Sequence, residues 1–183
     1  SLALEYYHRS LDMYEEINYR EGMASSLNNI GVIYSGEGDS TQALLFFRKS
    51  LTIKEELGDK EGMGYSLSSM GNLYETMGES NTALKYYQRS LEIRKEIGDK
   101  HGISISLNNI GRITLESGDV ETAKAMATQS LEIAKELAHP PIIRNASKLL
   151  SEVLKAEDNY EEALKMHELY IIMRDSVLKQ EIE

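Results

Sequence analysis

The sequence predicts an all-α solenoid of antiparallel helix pairs, and three observations carry that prediction. The chain repeats itself every 40 residues: Glu21 to Lys60 aligns without a gap on Glu61 to Lys100, with nearly half the positions matching. Within each copy, apolar residues recur at helical spacing in two blocks. Most blocks end at a Gly-Asp or Gly-Glu pair, which is turn and capping chemistry. A period of this length marks stacked supersecondary units, none of which can bury its apolar face alone.

Residues 1–20 form a half copy. Ala3-Leu4-Glu5-Tyr6-Tyr7 matches Ala83-Leu84-Lys85-Tyr86-Tyr87, so this segment reads as the second helix of a repeat whose first helix is absent. An exposed apolar flank is expected there, and the chain reads as a piece of a longer protein. In the repeat 21–60, Leu27, Ile30 and Tyr34 line one face of helix A, while Ala43, Leu44, Phe47, Leu51 and Ile53 supply helix B. Gly38-Asp39 joins A to B and Gly58-Asp59 leads to the next repeat. Glycine can turn left-handed past a helix end, and Asp can accept an orphan N–H at the next start. The repeats 61–100 and 101–140 use Gly78-Glu79, Gly98-Asp99 and Gly118-Asp119 at the same places. The last repeat, 141–183, is degenerate and opens at Ala138-His139-Pro140-Pro141, where proline presets the first helical turn. Its final helix is expected to run through Tyr170 to the end of the chain.

Residues recurring inside the period narrow the family. Leu27-x-x-Ile30-Gly31-x-x-Tyr34 followed by Ala43-x-x-x-Phe47 resembles the tetratricopeptide pattern, as do Leu67, Met70, Gly71, Tyr74, Ala83 and Tyr87, and Leu107, Ile110, Gly111 and Ala123. The glycines are read as letting helix B approach the backbone of helix A, with a small alanine at the crossing and an aromatic filling the next gap. Ala127, Thr114 and Ser151 depart from the pattern, and the last repeat keeps Leu150 and Ala163. The usual period of the family is about 34 residues; the extra residues lengthen the helices, as in the variant found in kinesin light chains. The phrasing Gly98-Asp99-Lys100, Ser106-Leu107-Asn108-Asn109-Ile110-Gly111 and Glu168 to Leu178 also resembles sensory N-terminal regions of bacterial histidine kinases and nucleotide cyclases, chiefly of the Bacteroidetes type. The resemblance implies a right-handed superhelix with the A helices along its concave surface.

Composition bounds the chemistry. The formal charge of -10 argues against nucleic acid, which needs clustered Lys and Arg. The absence of cysteine excludes disulfides and thiolate catalysis and leaves the compartment open. No apolar run approaches the roughly 18 residues of a membrane span. His8, His101, His139 and His167 lie far apart at what read as unrelated phases of the repeat, without metal-ligand spacing, and His167 takes the slot of Phe47 and Tyr87, where packing is expected. Gly36-Glu37-Gly38-Asp39 is turn chemistry rather than a phosphate cradle, and the serines have no recurring His or Asp company. No enzyme, cofactor or metal is therefore expected. Of Tyr6-Tyr7, Phe46-Phe47 and Tyr86-Tyr87, the second member is read as core and the first as a flank of the groove.

The functional signal lies on helix A, on the face turned away from helix B. Asn28 and Asn29, Ser68 and Ser69, then Asn108 and Asn109 recur in register, followed by Lys148; one turn on come Asn72 and Arg112. Asparagine offers both a donor and an acceptor, which suits clamping the backbone of an extended peptide. The expected site is Asn28, Asn29, Ser69, Asn72, Asn108, Asn109, Arg112 and Lys148. The plainer alternative is that these amides solvate the groove or bond between neighbouring helices. Arg112 and Lys148, with Arg144 nearby, form a basic corner expected to take a carboxylate, or else to pair with Glu75, Glu116 or Glu152. The partner is thus a protein or peptide segment; homotypic assembly that passes dimer geometry to an output domain is the alternative function.

Overall fold

The computed structural model describes residues 2–182, and among these every regular element is an α-helix. In order they are α1 (Leu2–Glu16), α2 (Arg20–Gly36), α3 (Ser40–Leu57), α4 (Lys60–Thr76), α5 (Ser80–Glu96), α6 (Lys100–Glu116), α7 (Val120–Glu136), α8 (Pro140–Ala156) and α9 (Tyr160–Ile182). Ser1 and Glu183, which the sequence reading places in the first and last helices, lie outside the described residues. The chain forms two compact units, one ending at Ile97 and the other beginning at Gly98.

The turns are built from the chemistry their residues carry. Gly38, Gly58, Gly78 and Gly118 all take positive φ, so the last carbonyls of each helix are met by backbone N–H groups just past its end. Asp39, Asp59, Asp99 and Asp119 accept the N–H three residues on, at 2.8 to 3.0 Å. For Asp119 a hydrogen bond with the Thr122 side chain, and after it this backbone bond, hold the carboxyl below its usual range. Glu79 stands in the same slot without a side-chain cap, because one more methylene carries its carboxylate past the amide that Asp reaches. At the start of α8, His139 replaces Asp and makes no cap either. The N–H three residues on, that of Ile142, donates instead to the His139 carbonyl at 3.1 Å, while His139 Nδ1 is buried with no hydrogen-bond partner among the described residues.

In the first unit, α2 pairs with α3 and α4 with α5, while α1 lies against α2. Phe47 and Tyr87 are fully buried, and each ring lies directly on a glycine of the partner helix. A Cβ at Gly31 would stand 2.6 Å from Phe47, and one at Gly71 would stand 2.6 Å from Tyr87. These two glycines therefore admit an aromatic ring, not the helix backbone the sequence reading expected. Tyr34 stacks on Phe46 and Tyr74 on Tyr86, with ring planes 12° and 11° apart. Ser50 and Ser90 are also buried, donating to the carbonyls of Ala24 and Gly64 at 2.7 and 2.9 Å. A buried polar pin thus joins the two helices of each pair. Tyr6 and Met13 on α1, and Ile17 just past its end, are exposed.

In the second unit, α6 pairs with α7 and α8 with α9, and α6 also touches α8. The core is aliphatic: Ala123, Ala127, Leu131, Ile142, Leu149, Leu150, Val153 and Ala163. At Gly111 the neighbours are Leu149, Met126 and the Ala123 carbonyl, so here glycine does meet helix backbone. Ser130 repeats the pin, donating to the Ser104 carbonyl at 2.8 Å while Ser104 returns a bond to Ser130. His167 is exposed and rests beside Tyr170, which corrects the expectation of packing. Its slot opposes Ser151 rather than glycine, and Ser151 closes the gap by donating to the Ala163 carbonyl at 2.9 Å.

Candidate functional site

A groove of about 530 Å³ opens in the first unit between α2, the C-terminal end of α3 and α4. Asn28, Asn29 and Ser69 line it together with Lys54 and Tyr65. Asn28 and Asn29 are half-buried. The carboxamide of Asn28 is oriented by its neighbour: Ser66 donates its hydroxyl to Asn28 Oδ1 at 3.1 Å. Ser66 in turn accepts from Lys54 Nζ at 2.9 Å. Among the described residues the Nδ2 of Asn28 has no partner, so its two N–H donors remain for a ligand.

Lys54 is 5% exposed, and burial holds its ammonium below the usual lysine range, opposed in part by the attraction of Asp59. The expected site did not include it. The available signal was its place in the sequence: Lys54 and Arg94 stand 40 residues apart, each three positions after a buried leucine, in the row where helical spacing places core residues. Arg94 is buried too, with its guanidinium carbon 5.4 Å from the centre of the Tyr65 ring.

The second unit has a smaller groove of about 270 Å³ lined by Asn108, Asn109, Arg112, Asn145, Lys148 and Leu149, with Glu152 at its edge. The basic corner is partly compensated along its own helices. Arg112 lies 3.5 Å from Glu116 and Lys148 lies 3.9 Å from Glu152. Arg144 donates to Asn145 Oδ1 at 3.1 Å. The structure does not treat Asn72 as it treats the other asparagines, because the Tyr87 hydroxyl donates to its Oδ1.

Asn108 differs from Asn28 in one respect. Among the described residues its Oδ1 is buried without a hydrogen-bond partner, because Ala146, two repeats on from Ser66, brings no hydroxyl. Ala146→Ser is therefore expected to raise stability by about 0.5–1.5 kcal/mol through the missing bond, read as a higher urea midpoint. A lower midpoint would mean that the fully buried Ala146 site has no room for the hydroxyl.

A tetratricopeptide repeat family model matches residues 2–56 and 63–136. The chain belongs to the tetratricopeptide repeat family. No curated protein matches the sequence. Among solved structures, BtubC (BKLC) from P. vanneervenii is similar at 20% identity with a TM-score of 0.83, over 94% of this chain and 72% of that one. RapI in its apo form has the same identity and TM-score, over 94% of this chain and 48% of its own. The Pyrococcus horikoshii protein PH0952, a Signal Transduction ATPase with Numerous Domains with a tetratricopeptide repeat sensor, is 16% identical with a TM-score of 0.79, over 97% of this chain and 28% of that one. These tetratricopeptide repeat chains share the helical solenoid fold.

The structure also corrects the reading of the histidines. His101, in the first turn of α6, meets His139 before α8 edge to face, with ring centres 4.9 Å apart. Their phases are related after all, since His139 holds the slot of Asp59 and Asp99, and the contact of α6 with α8 brings it beside His101. Among the described residues no group of three His, Asp or Glu side chains could hold a metal ion. None of the described helices is long and apolar enough to cross a membrane.

Proposed function

We propose that this tetratricopeptide repeat chain is a non-catalytic scaffold that clamps an extended segment of a peptide or protein along its first-of-pair helices, as the recognition module of a larger signalling protein. The observation that carries this reading is the gathering of carboxamides in open grooves: Asn28 and Asn29 in the first unit, Asn108, Asn109 and Asn145 in the second. Carboxamides satisfy both the N–H and the C=O of a passing backbone, which is what an extended peptide presents whatever its side chains. In the first unit the repeats 21–60 and 61–100 would each supply one rung. A tetratricopeptide repeat sensor within a multidomain signalling ATPase gives a precedent for such a module.

The test is a peptide selected by display on the intact chain and measured by calorimetry. Asn109→Ala with Arg112→Ala is expected to weaken its binding by about tenfold to a hundredfold, from the loss of one charge-assisted and one neutral hydrogen bond. The melting temperature should stay unchanged, since neither side chain belongs to the buried core. Unchanged affinity would sink the clamp. A second reading, homotypic assembly, is favoured by the exposed Tyr6 and Met13 of α1 and by Ile17 just past its end, the last at 71%. A molar mass by light scattering that stays monomeric across a concentration series would remove it.

A further inference from the structure

We infer that the tyrosine-lined cavity between α1 and the start of α2 is a site for a quaternary or methylated ammonium group, a ligand chemistry independent of peptide clamping. The cavity holds about 290 Å³, near the lower end of the range for small-molecule sites. Three of its lining side chains are aromatic, Tyr7, Tyr14 and Tyr19, and the charged one is Glu21. It adjoins the larger groove of the first unit, with Ser25 and Asn29 common to both.

Two of these rings stand where the next repeats carry other chemistry. Tyr19 holds the slot of Asp59 and Asp99, which cap α4 and α6, and α2 begins at Tyr19 without a side-chain cap. Asn18 takes the positive φ that Gly58 and Gly98 take at the same place. A capping Asp ordinarily adds to helix stability, whereas the ring that replaces it stays 47% exposed and adds little to the core. Tyr14 likewise holds the slot of Lys54. The turn folds the second ring back onto the first. The Tyr19 N–H donates to the Tyr14 carbonyl at 2.8 Å, and the two rings meet edge to face with centres 5.4 Å apart and planes at 71°. Gly22 leaves the room for both, since a Cβ there would stand 2.5 Å from Tyr19 Cδ1 and 2.8 Å from Tyr14 Cδ2. Tyr7 is fixed by packing against the core of Leu11, Leu27 and Ile30.

Aromatic faces are the negative part of the ring quadrupole, and a cation within about 6 Å of a ring centre is attracted to them. Glu21 adds a full negative charge, which disfavours an anionic ligand. Among the described residues its carboxylate has no ion-pair partner, and the neighbouring Arg20 is taken by Glu56. The same groups select the kind of cation. A primary ammonium needs acceptors for three N–H donors, and in the next repeat the chain supplies one itself, Lys54, bonded to Ser66. A trimethylammonium group has no N–H to satisfy, and its methyls gain from contact with rings. With Tyr14 in place of that lysine, the cavity lacks a cation of the protein's own and suits one that a ligand brings.

The test titrates the intact ¹⁵N-labelled chain with three probes and reads the amides of Tyr19, Gly22 and Ser25. Choline carries the trimethylammonium group as a free small molecule, and N-acetyl-trimethyllysine amide carries it as a side chain. The third probe, 3,3-dimethylbutan-1-ol, has the shape of choline with carbon in place of nitrogen and no charge. At least one of the two cations is expected to bind, and the neutral alcohol about tenfold more weakly. The tighter cation identifies the source. Tyr19→Ser supplies a capping hydroxyl, so it should raise the urea midpoint while weakening the cation by about tenfold. Glu21→Gln should weaken the cations by a smaller factor, about threefold, and leave the alcohol unaffected. Equal binding of the alcohol and choline to the parent chain would make the cavity an apolar pocket and overturn the assignment. Unchanged cation binding by Tyr19→Ser would overturn it too, as would the absence of any shift with either cation at millimolar concentration.

Discussion

Gly71→Ala is expected to destabilise the first unit by about 2–3 kcal/mol, although alanine is the better helix former by about 1 kcal/mol. The new methyl would sit 2.6 Å from Tyr87 Cε1, 2.8 Å from Cδ1 and 3.0 Å from Cζ. A ring can sometimes swing aside, but Tyr87 is fully buried, and its single hydroxyl proton is shared between Asn72 Oδ1 and Glu75 Oε2, the latter at 2.9 Å. Moving the ring therefore breaks contacts at both its face and its tip. Phe47 lies on Gly31 at the same 2.6 Å without a hydroxyl to hold it, so Gly31→Ala should be milder. Gly36 supplies the control. It ends α2 with nothing within 4 Å of a built Cβ and no positive φ. Gly36→Ala should thus gain about 0.5–1 kcal/mol from propensity and chain entropy. The expected order in urea unfolding is Gly36→Ala above the parent, then Gly31→Ala, then Gly71→Ala. Equal midpoints for Gly71→Ala and Gly36→Ala would show that the aromatic contact does not constrain the pair.

The same residues show what a sequence can and cannot disclose about this fold. The turns were legible because their chemistry is local: a glycine that must take positive φ, followed by an Asp that reaches the amide three residues on, needs no knowledge of the neighbouring helix. The slot of Phe47 and Tyr87 was legible too, since a large residue opposite a small one recurs in register. Where the opposing residue changed, the inference failed. His167 was expected in the core because its slot matched, yet the slot faces Ser151, and a side chain cannot bury itself against a position already filled. The meeting of His101 with His139 required knowing that α6 lies beside α8, a contact between repeats that the phase within one repeat does not express.

The candidate site divides along the same line. Asn28, Asn29 and Ser69 could be placed together from register alone, as could Asn108, Asn109, Arg112 and Lys148. What register could not give was the state of each amide. Asn28 is turned by Ser66, Asn108 lacks that hydroxyl, and Asn72 is engaged by Tyr87. Lys54 was passed over for a related reason. A lysine in an apolar row reads as one that extends its stem to reach water, the ordinary outcome for such a side chain. Its burial follows from the space at Gly62 and from the hydroxyl of Ser66, one in the next helix and the other a single turn further along it.

Lys54→Met is expected to stabilise the chain at neutral pH, by about 1–2 kcal/mol, the common result when a buried charge gives way to an apolar side chain of similar length. Ser66 would lose one donor and keep its bond to Asn28 Oδ1 and its contact with Ser50, so no buried hydroxyl is left without a partner. The pH dependence follows from the direction of the shift. Folding lowers the pKa of Lys54 from its ordinary value of 10.5. Between the folded and unfolded values the unfolded chain binds more protons, so stability rises with pH across that window. Below the folded value both states are protonated and the full penalty of the buried ammonium persists. Above 10.5 both are neutral and the penalty is gone. The advantage of Lys54→Met over the parent should therefore be constant from neutral pH up to the folded value, then shrink as the pH approaches 10.5. Comparing the two proteins at each pH cancels the tyrosines and surface lysines that titrate in the same range. A variant less stable than the parent at every pH would identify Lys54 as a strut held by Ser66 and Asp59. A variant more stable than the parent below the folded value, with the difference shrinking towards 10.5, would show that the fold carries the buried ammonium at a cost.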